Sequence, residues 1–251
     1  MRRNYEQELK DRVSFIKEQL YQSGAKGIIY GNSGGKDSAL VGILCRKATE
    51  HLLGVMMPCE SKRNFEEDMR DGLAVARQFG IETVTVDLTA VKETLMRAVS
   101  EVDSITDAAS ANIAPRLRMT TLYTLAHTKG YLVAGTGNRS EEYVGYFTKW
   151  GDGAYDFNPI ADLTVTEIYE FLDFLEAPEN IRKKAPSAGL YDGQTDEKEM
   201  GITYKAIDEY LLDGKGDPET IEKIEAIHRK VTHKYFAPAV FYDTGKRPNQ
   251  K

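Results

Sequence analysis

The stretch from Gly27 to Ser38 constrains the fold of this chain more than any other. A short apolar run, Gly27 to Tyr30, is followed by a turn of glycine and small polar residues, and a helical pattern starts directly after it. The run predicts a buried strand. A glycine-rich turn between a strand and a helix points unpaired backbone N–H groups and the positive end of the helix dipole at an anion. The stretch therefore predicts a phosphate-binding turn in an α/β fold.

The turn does not follow the Walker A pattern, Gly-x4-Gly-Lys-[Ser/Thr]. Tyr30 stands where the first glycine belongs, and Asp37 stands where the hydroxyl residue belongs. Residues Ser33 to Ser38 instead read Ser-Gly-Gly-x-Asp-Ser, with a carboxylate inside the loop. This pattern resembles the pyrophosphate-binding loop of the N-type ATP pyrophosphatases, which cleave ATP between its α and β phosphates.

Composition excludes several classes of function. The chain has 251 residues, 33 basic and 39 acidic side chains and a formal net charge of −6. The acidic balance argues against nucleic acid as the main partner. Cys45 and Cys59 have neither metal-ligand nor redox spacing, and no apolar run is long enough to predict a membrane span or a signal peptide. We therefore expect one cytoplasmic domain over residues 1–251, with a disordered tail from about 245 to 251.

Apolar runs alternate with helical patterns along the first half of the chain. Strands are predicted at Gly27 to Tyr30, Leu52 to Met57, Thr83 to Leu88 and Tyr131 to Ala134. This alternation predicts a Rossmann-like, doubly wound parallel sheet of about five strands in the order 3-2-1-4-5, with helices on both faces. The fourth strand also runs into a glycine-rich turn, Gly135 to Asn138. Two such turns predict a shared ligand crevice at the carboxyl edge of the sheet.

Apolar periodicity is absent from Glu101 to Ala114, from the aromatic- and glycine-rich Tyr143 to Asp162, which would shape a site, and from Ala185 to Gly201. The first and last of these segments are the candidate lids. Both are rich in small and polar residues, so we interpret them as loops that close over a ligand. In the second half of the chain, helices are predicted at Thr166 to Leu175, from Pro178, at Tyr204 to Leu212 and from Pro218 to about His233.

Several separated blocks resemble the ammonia-dependent NAD synthetases, a family of the ATP pyrophosphatase superfamily. Besides the loop, the blocks are Asn112-x3-Arg116-x-Arg118-Met119, Gly135-Thr136-x4-Glu141, Gly145 to Gly153, Gly193 to Glu197, Met200 to Tyr204 and Thr232-His233-Lys234. The resemblance implies a ligase that uses ATP and ammonia to convert deamido-NAD into NAD through adenylation of the nicotinate carboxylate. It also implies a homodimer without nucleic-acid or membrane partners. No glutaminase nucleophile is visible, so ammonia is the expected nitrogen source.

The resemblance also implies roles for individual residues. Asp37 and Glu141 would hold Mg²⁺, and Asp37, Lys149 and Asp156 would be catalytic. ATP would contact Gly31, Asn32, Ser33, Gly34, Gly35, Lys36, Asp37, Ser38, Thr136 and Ser187. Deamido-NAD would contact Arg116, Lys149, Asp156, His233 and Lys234. Carboxylates suit the magnesium ion, and cations suit the phosphates and carboxylate of the dinucleotide.

One position departs from the family. Val165 stands where the resemblance places a phosphate-contacting lysine, and Lys183 or Lys184 could replace it. Two other functions remain open from the residues alone: another ATP pyrophosphatase that amidates or thiolates a nucleotide, or a nucleotide-binding regulator without turnover. The cations at Arg116, Arg118, His233 and Lys234 are also compatible with solvated helix faces and helix ends.

Overall fold

A four-stranded parallel sheet forms the centre of the protein, seen in a computed structural model that describes residues 3–60, 64–184 and 196–241. The strands are β1 (Gly27–Gly31), β2 (Leu52–Met56), β3 (Glu82–Thr85) and β4 (Tyr131–Ala134), in the order β3-β2-β1-β4. Ile29 lies opposite Leu53 on one side and opposite Val133 on the other. The carboxyl ends of β1 and β4 therefore lie side by side.

Twelve α-helices lie within the described ranges. They are α1 (Tyr5–Ser23), α2 (Lys36–Ala48), α3 (Met69–Phe79), α4 (Thr89–Ser100), α5 (Asp107–Ala111), α6 (Ile113–Lys129), α7 (Arg139–Tyr143), α8 (Val165–Phe174), α9 (Glu179–Arg182), α10 (Asp196–Met200), α11 (Tyr204–Asp213) and α12 (Pro218–Val231). A π-helical turn, Asn64–Asp68, leads into α3, and a 3₁₀ turn, Thr232–Lys234, follows α12. In these ranges, no helix combines the length and the hydropathy that a membrane crossing requires.

The sheet is covered on both faces. Ile28 and Tyr30 of β1 belong to a core that contains residues of α1, α2, α3 and α8. The intervening Ile29 belongs to a second core, with residues of α6 and Leu88, the residue before α4. Because successive strand residues point to opposite faces, a strand that is apolar at every position has both faces buried. This arrangement confirms the predicted doubly wound α/β fold.

The fifth position of the sheet is reduced to a single bridge. Ala134 pairs in parallel with Phe157, whose carbonyl oxygen accepts a 2.8 Å hydrogen bond from the backbone N–H of Gly135. The predicted order holds for the four strands, and the chain passes the far side of β4 without extending into a strand. This bridge anchors the segment that follows the β4 turn.

Two loop predictions were partly wrong. Within Glu101 to Ala114, α5 forms and α6 begins at Ile113, because the Thr106 side chain caps α5 by accepting a 3.3 Å hydrogen bond from Ala109 N–H. Capping and alanine content favour a short helix without any apolar periodicity. Within Ala185 to Gly201, α10 covers Asp196–Met200, and residues 185–195 lie outside the described part of the chain. The predicted disordered tail, 245–251, lies outside it as well.

Tyr30 gives a stability prediction. Its hydroxyl is buried against Gly42 and Gly54 and has no hydrogen-bond partner among the described residues. A buried polar group without a partner costs about 1–3 kcal/mol. We therefore expect Tyr30→Phe to raise the free energy of unfolding by about 1 kcal/mol, measured by urea denaturation.

Tyr204→Phe is the matched control, because the buried Tyr204 hydroxyl donates a 3.0 Å hydrogen bond to Asp196. Its loss should lower the free energy of unfolding by about 1–2 kcal/mol. A Tyr30→Phe protein destabilised as much as the control would show that the Tyr30 hydroxyl is satisfied.

Candidate nucleotide site

A cavity of about 570 Å³ opens at the carboxyl ends of β1, β2 and β4. It lies at the predicted crevice between the two glycine-rich turns. The residues predicted for the site that line it are Gly31, Asn32, Ser33, Gly35, Lys36, Asp37, Ser38, Thr136, Glu141 and Lys234. The structure thus brings together the loop after β1 and the turn after β4.

The loop after β1 leaves backbone donors available for an anion. Gly35 is the N-cap of α2 and makes no side-chain capping bond, so the first turn of the helix keeps N–H groups that no described residue caps. The hydroxyl of Ser33 lies 3.1 Å from that of Ser38, and the Ser38 hydroxyl also lies 3.1 Å from Gly35 O. Amides, hydroxyls and a helix N-terminus together form a cradle suited to phosphate.

Two contacts hold this cradle against the start of α3. Gly34 has a φ of +70°, and a Cβ added there would lie 2.8 Å from the carbonyl carbon of Asp68. Asn32 accepts a 3.4 Å hydrogen bond from Gly34 N–H and donates a 3.2 Å bond to Gly72 O. Only glycine fits at position 34, and Asn32 supports the loop from below.

Lys184 ties the cradle to the same region. Its ammonium lies 3.1 Å from Gly34 O, 2.8 Å from Asp68 Oδ1 and 2.8 Å from Asp71 Oδ2. Burial alone would raise the pKa of Asp71, but hydrogen bonds from Lys184 and Asn180 lower that pKa below its usual value. With its three donors engaged, Lys184 positions the loop.

Val165 does not approach the cavity in place of a lysine. It begins α8 and is buried in a cluster with Val144, Ile202 and Tyr204. A buried apolar residue therefore stands at the position where the resemblance places a lysine. Lys183, the other candidate replacement, pairs with Glu179 on the surface.

The two predicted metal ligands meet at one cation. Asp37 Oδ2 lies 2.7 Å and Glu141 Oε1 lies 3.5 Å from the ammonium of Lys36. Burial raises the pKa of Glu141, and the neighbouring Asp37 raises it further. Burial would lower the pKa of Lys36, but the two carboxylates outweigh it and raise that pKa.

These two carboxylates fit a hard cation. Carboxylate oxygens are the ligands that Mg²⁺ prefers, and this ion commonly takes only one or two of them, with water and phosphate oxygens completing its shell. No group of three or more His, Cys, Asp or Glu side chains within residues 3–60, 64–184 and 196–241 could hold a metal alone. The pair therefore suits an ion that arrives with a polyphosphate.

Sequence reasoning missed Asn138. Its amide nitrogen donates a 3.0 Å hydrogen bond to Asp37 Oδ1, while its side-chain oxygen accepts a 2.9 Å bond from Glu141 N–H. Asn138 thus caps α7 and links the Asp37 carboxylate to the backbone of Glu141 across the crevice. An asparagine between a glycine-rich turn and a helix is a recognisable N-cap, and this signal could have identified it.

Arg118 is a second residue for which the sequence predicted no role in the site, although it belongs to the Asn112-x3-Arg116-x-Arg118-Met119 block. It lines the cavity, its Nε donates a 3.1 Å hydrogen bond to Met57 O, and burial lowers its pKa. Arg116, two residues earlier on α6, points away and is exposed. Their helical spacing, which places them on different faces, distinguishes the two.

The predicted dinucleotide-binding residues separate into two groups. Lys234 lines the cavity and donates to Gly145 O at 2.6 Å. Lys149 donates a 2.8 Å hydrogen bond to His233 O, and Arg116 lies 3.4 Å from Lys149 O, so these three residues adjoin one another outside the cavity. Ser187 lies outside the described residues.

Asp156 has a structural partner in β4. Its carboxylate accepts a 2.7 Å hydrogen bond from Val133 N–H and a 3.2 Å bond from the hydroxyl of Tyr123. These bonds attach the segment after the β4 turn to the edge of the sheet. The side chain does not line the cavity.

Comparisons with known proteins identify the family of this chain. The profile of the NAD synthase family matches residues 8–238. The NH(3)-dependent NAD(+) synthetase of Carboxydothermus hydrogenoformans is 47% identical over 246 residues, which cover 96% of this chain and 99% of that protein.

Two solved structures share the fold over nearly the whole chain. The NMN synthetase of Francisella tularensis superposes with a TM-score of 0.90 at 33% identity, covering 95% of this chain and 98% of that one. The NH3-dependent NAD synthetase of Campylobacter jejuni gives a TM-score of 0.77 at 30% identity, covering 96% and 100%. The chain therefore belongs to the NAD synthase family.

Proposed function

We propose that this chain amidates deamido-NAD to NAD, with ammonia as the nitrogen donor and ATP as the activating co-substrate. The chain is a ligase that forms a carbon–nitrogen bond. The observation that carries this function is the meeting of the phosphate cradle with Asp37 and Glu141 in one cavity, in a chain 47% identical to an NH(3)-dependent NAD(+) synthetase.

The reaction follows from the chemistry of the cavity. The nicotinate carboxylate attacks the α-phosphorus of ATP, the bond to the pyrophosphate oxygen breaks, and an acyl adenylate forms. Ammonia then attacks the acyl carbon, AMP leaves with the bonding electrons, and the nitrogen loses a proton to solvent to give the amide. The α2 N-terminus and the serine hydroxyls would hold the departing pyrophosphate, and Lys234 and Arg118, which also line the cavity, would supply positive charge.

Asp37 and Glu141 would hold a magnesium ion in this arrangement. When bound, the ion neutralises charge that develops on the phosphate oxygens. Asn138 orients the Asp37 carboxylate and fixes the first turn of α7, which carries Glu141. The cradle would keep the triphosphate within reach of both carboxylates. The catalytic roles of Lys149 and Asp156 stay predictions, because both side chains lie outside the cavity.

A homodimer would explain the residues outside the cavity. Arg116, Lys149 and His233 lie together on the surface, where a second copy could complete a dinucleotide site. Helix α4 also exposes an apolar stripe at Val91 and Leu95, continued by Val99 and Val102. Light scattering on the purified protein tests this proposal, and a monomer would contradict it.

The buried free thiols of Cys45 and Cys59 agree with a cytoplasmic location.

One assay tests the reaction. Purified protein is incubated with Mg·ATP, ammonium and deamido-NAD, and NAD, AMP and pyrophosphate are quantified. We expect all three products in equal amounts. ADP formation, or AMP formation that ignores deamido-NAD, would indicate a different ATP-using enzyme, and nucleotide binding without turnover would indicate a regulator.

A second substrate deserves a parallel arm of this assay. The TM-score of 0.90 with an NMN synthetase favours amidation of the mononucleotide, nicotinate mononucleotide, as the alternative reaction. A mononucleotide substrate would also explain why several residues predicted to bind the dinucleotide lie outside the cavity: Arg116, Lys149, Asp156 and His233. The ratio of kcat/KM for the two acids decides which is the preferred substrate.

A further inference from the structure

Lys36 occupies an unusual position for a lysine in a phosphate-binding loop. It is the first residue of α2, only 5% exposed, and its ammonium lies between the carboxylates of Asp37 and Glu141. The ammonium also lies 5.7 Å from the centre of the Tyr204 ring. A buried ammonium is therefore held where two predicted metal ligands converge.

The neighbouring cation Lys184 has a different environment. It is bound to Gly34 O and to the carboxylates of Asp68 and Asp71, none of which is a predicted metal ligand. Among the described residues, Lys36 has one short bond to a carboxylate, the 2.7 Å contact with Asp37, and its distance to Glu141 is 3.5 Å. Of these two lysines, Lys36 is thus the one whose ammonium competes for metal-ligand oxygens.

We propose that Lys36 is an internal counter-ion that holds the metal position until the nucleotide arrives, so that the divalent ion binds well only together with the triphosphate. This inference rests on the metal-binding role proposed above for Asp37 and Glu141. It assigns to Lys36 the ordering of metal and nucleotide binding, in addition to contact with phosphate.

The charge balance gives the physical reason. When both carboxylates are ionised, Asp37, Glu141 and Lys36 together carry a single negative charge, which binds a divalent ion more weakly than the two carboxylates alone would. The ion and the ammonium would also repel each other at close range in a buried site. A triphosphate changes this balance because its anionic oxygens accept both cations. The flexible stem of the lysine lets the ammonium move from the carboxylates to a phosphate oxygen.

Mn²⁺ titration monitored by electron paramagnetic resonance tests the proposal. In the absence of nucleotide, Lys36→Met should bind Mn²⁺ about 10- to 100-fold more tightly than the unmodified protein, because the competing cation is gone. A non-hydrolysable ATP analogue should strengthen Mn²⁺ binding greatly in the unmodified protein and much less in Lys36→Met. Lys183→Met is the matched control, since Lys183 pairs with Glu179 on the surface, and it should behave like the unmodified protein.

A measurement on the unmodified protein covers the case in which Lys36→Met does not fold. Crystals are soaked in Mn²⁺ with and without the ATP analogue, and the anomalous signal between Asp37 and Glu141 is compared. We expect a peak only with the analogue, accompanied by displacement of the Lys36 ammonium. A peak of equal height without nucleotide would overturn the role of Lys36 and leave the metal site standing. No peak at these carboxylates under either condition would overturn the metal site, and the inference with it.

Discussion

Asp37→Asn is expected to lower kcat for NAD formation by about 1000-fold, because it removes a charged ligand from the place where we propose that the triphosphate and its divalent ion are held. Asparagine has the same shape and can still accept the 3.0 Å hydrogen bond from Asn138. The fold should therefore survive. The measurement is steady-state formation of NAD and AMP, with circular dichroism and thermal unfolding on the same samples.

Asp173→Asn provides the control for this change. Asp173 makes a 2.9 Å ion pair with Arg182 and does not line the cavity. Its kcat should stay within about twofold of the unmodified protein, since an exposed ion pair contributes little. An Asp37→Asn enzyme with a near-normal rate would remove Asp37 from the metal site, whatever the control shows.

The parallel sheet and its two glycine-rich turns could be predicted because several local sequence signals agree there. In β1 and the loop that follows, an apolar run, glycines and a helical pattern appear in the order that a strand, turn and helix require. The second glycine-rich turn predicted the shared crevice, and the 3.0 Å bond between Asn138 and Asp37 confirms that the two turns meet. Signals of this kind depend only on neighbouring residues, so one sequence suffices to read them.

Short helices escaped prediction for a physical reason. Helix α5 has five residues and none of them is buried, so its sequence has no apolar periodicity from which a helix could be predicted. Its existence depends on one capping threonine and on alanines with good helix propensity. Helix α10 was missed in the same way, although its Asp196 is buried and lines the cavity.

The partners of charged side chains could not be predicted either. Lys184 meets Asp68 and Asp71, more than a hundred positions earlier, and Lys36 meets Glu141 across the crevice. Pairing over such distances is set by tertiary packing, which brings α2 close to α7 and the start of α3 close to the residues after α9. The resemblance predicted residues for the site, but only the folded chain shows that Arg118 lines the cavity while Arg116 does not.

Gly34→Ala is expected to have the second large effect. The new Cβ would collide with the backbone carbonyl of Asp68, and the φ of +70° disfavours any side chain. Because the backbone carbonyl of Asp68 cannot rotate aside as the end of a flexible side chain could, the loop must shift away from the π-helical turn. We expect the free energy of unfolding to fall by about 2–4 kcal/mol and KM for ATP to rise at least about tenfold.

Gly80→Ala separates the two causes of this loss. Gly80 ends α3 with a φ of +65°, and a Cβ there would meet no atom within 4 Å. Its cost should be about 1 kcal/mol from the backbone conformation alone, with KM for ATP unchanged. Urea unfolding of both variants, with ATP kinetics, then measures the collision as the difference between them. Equal losses would mean that the loop can move away from Asp68 without harm, and that the close approach of the π-helical turn does not hold the phosphate cradle in place.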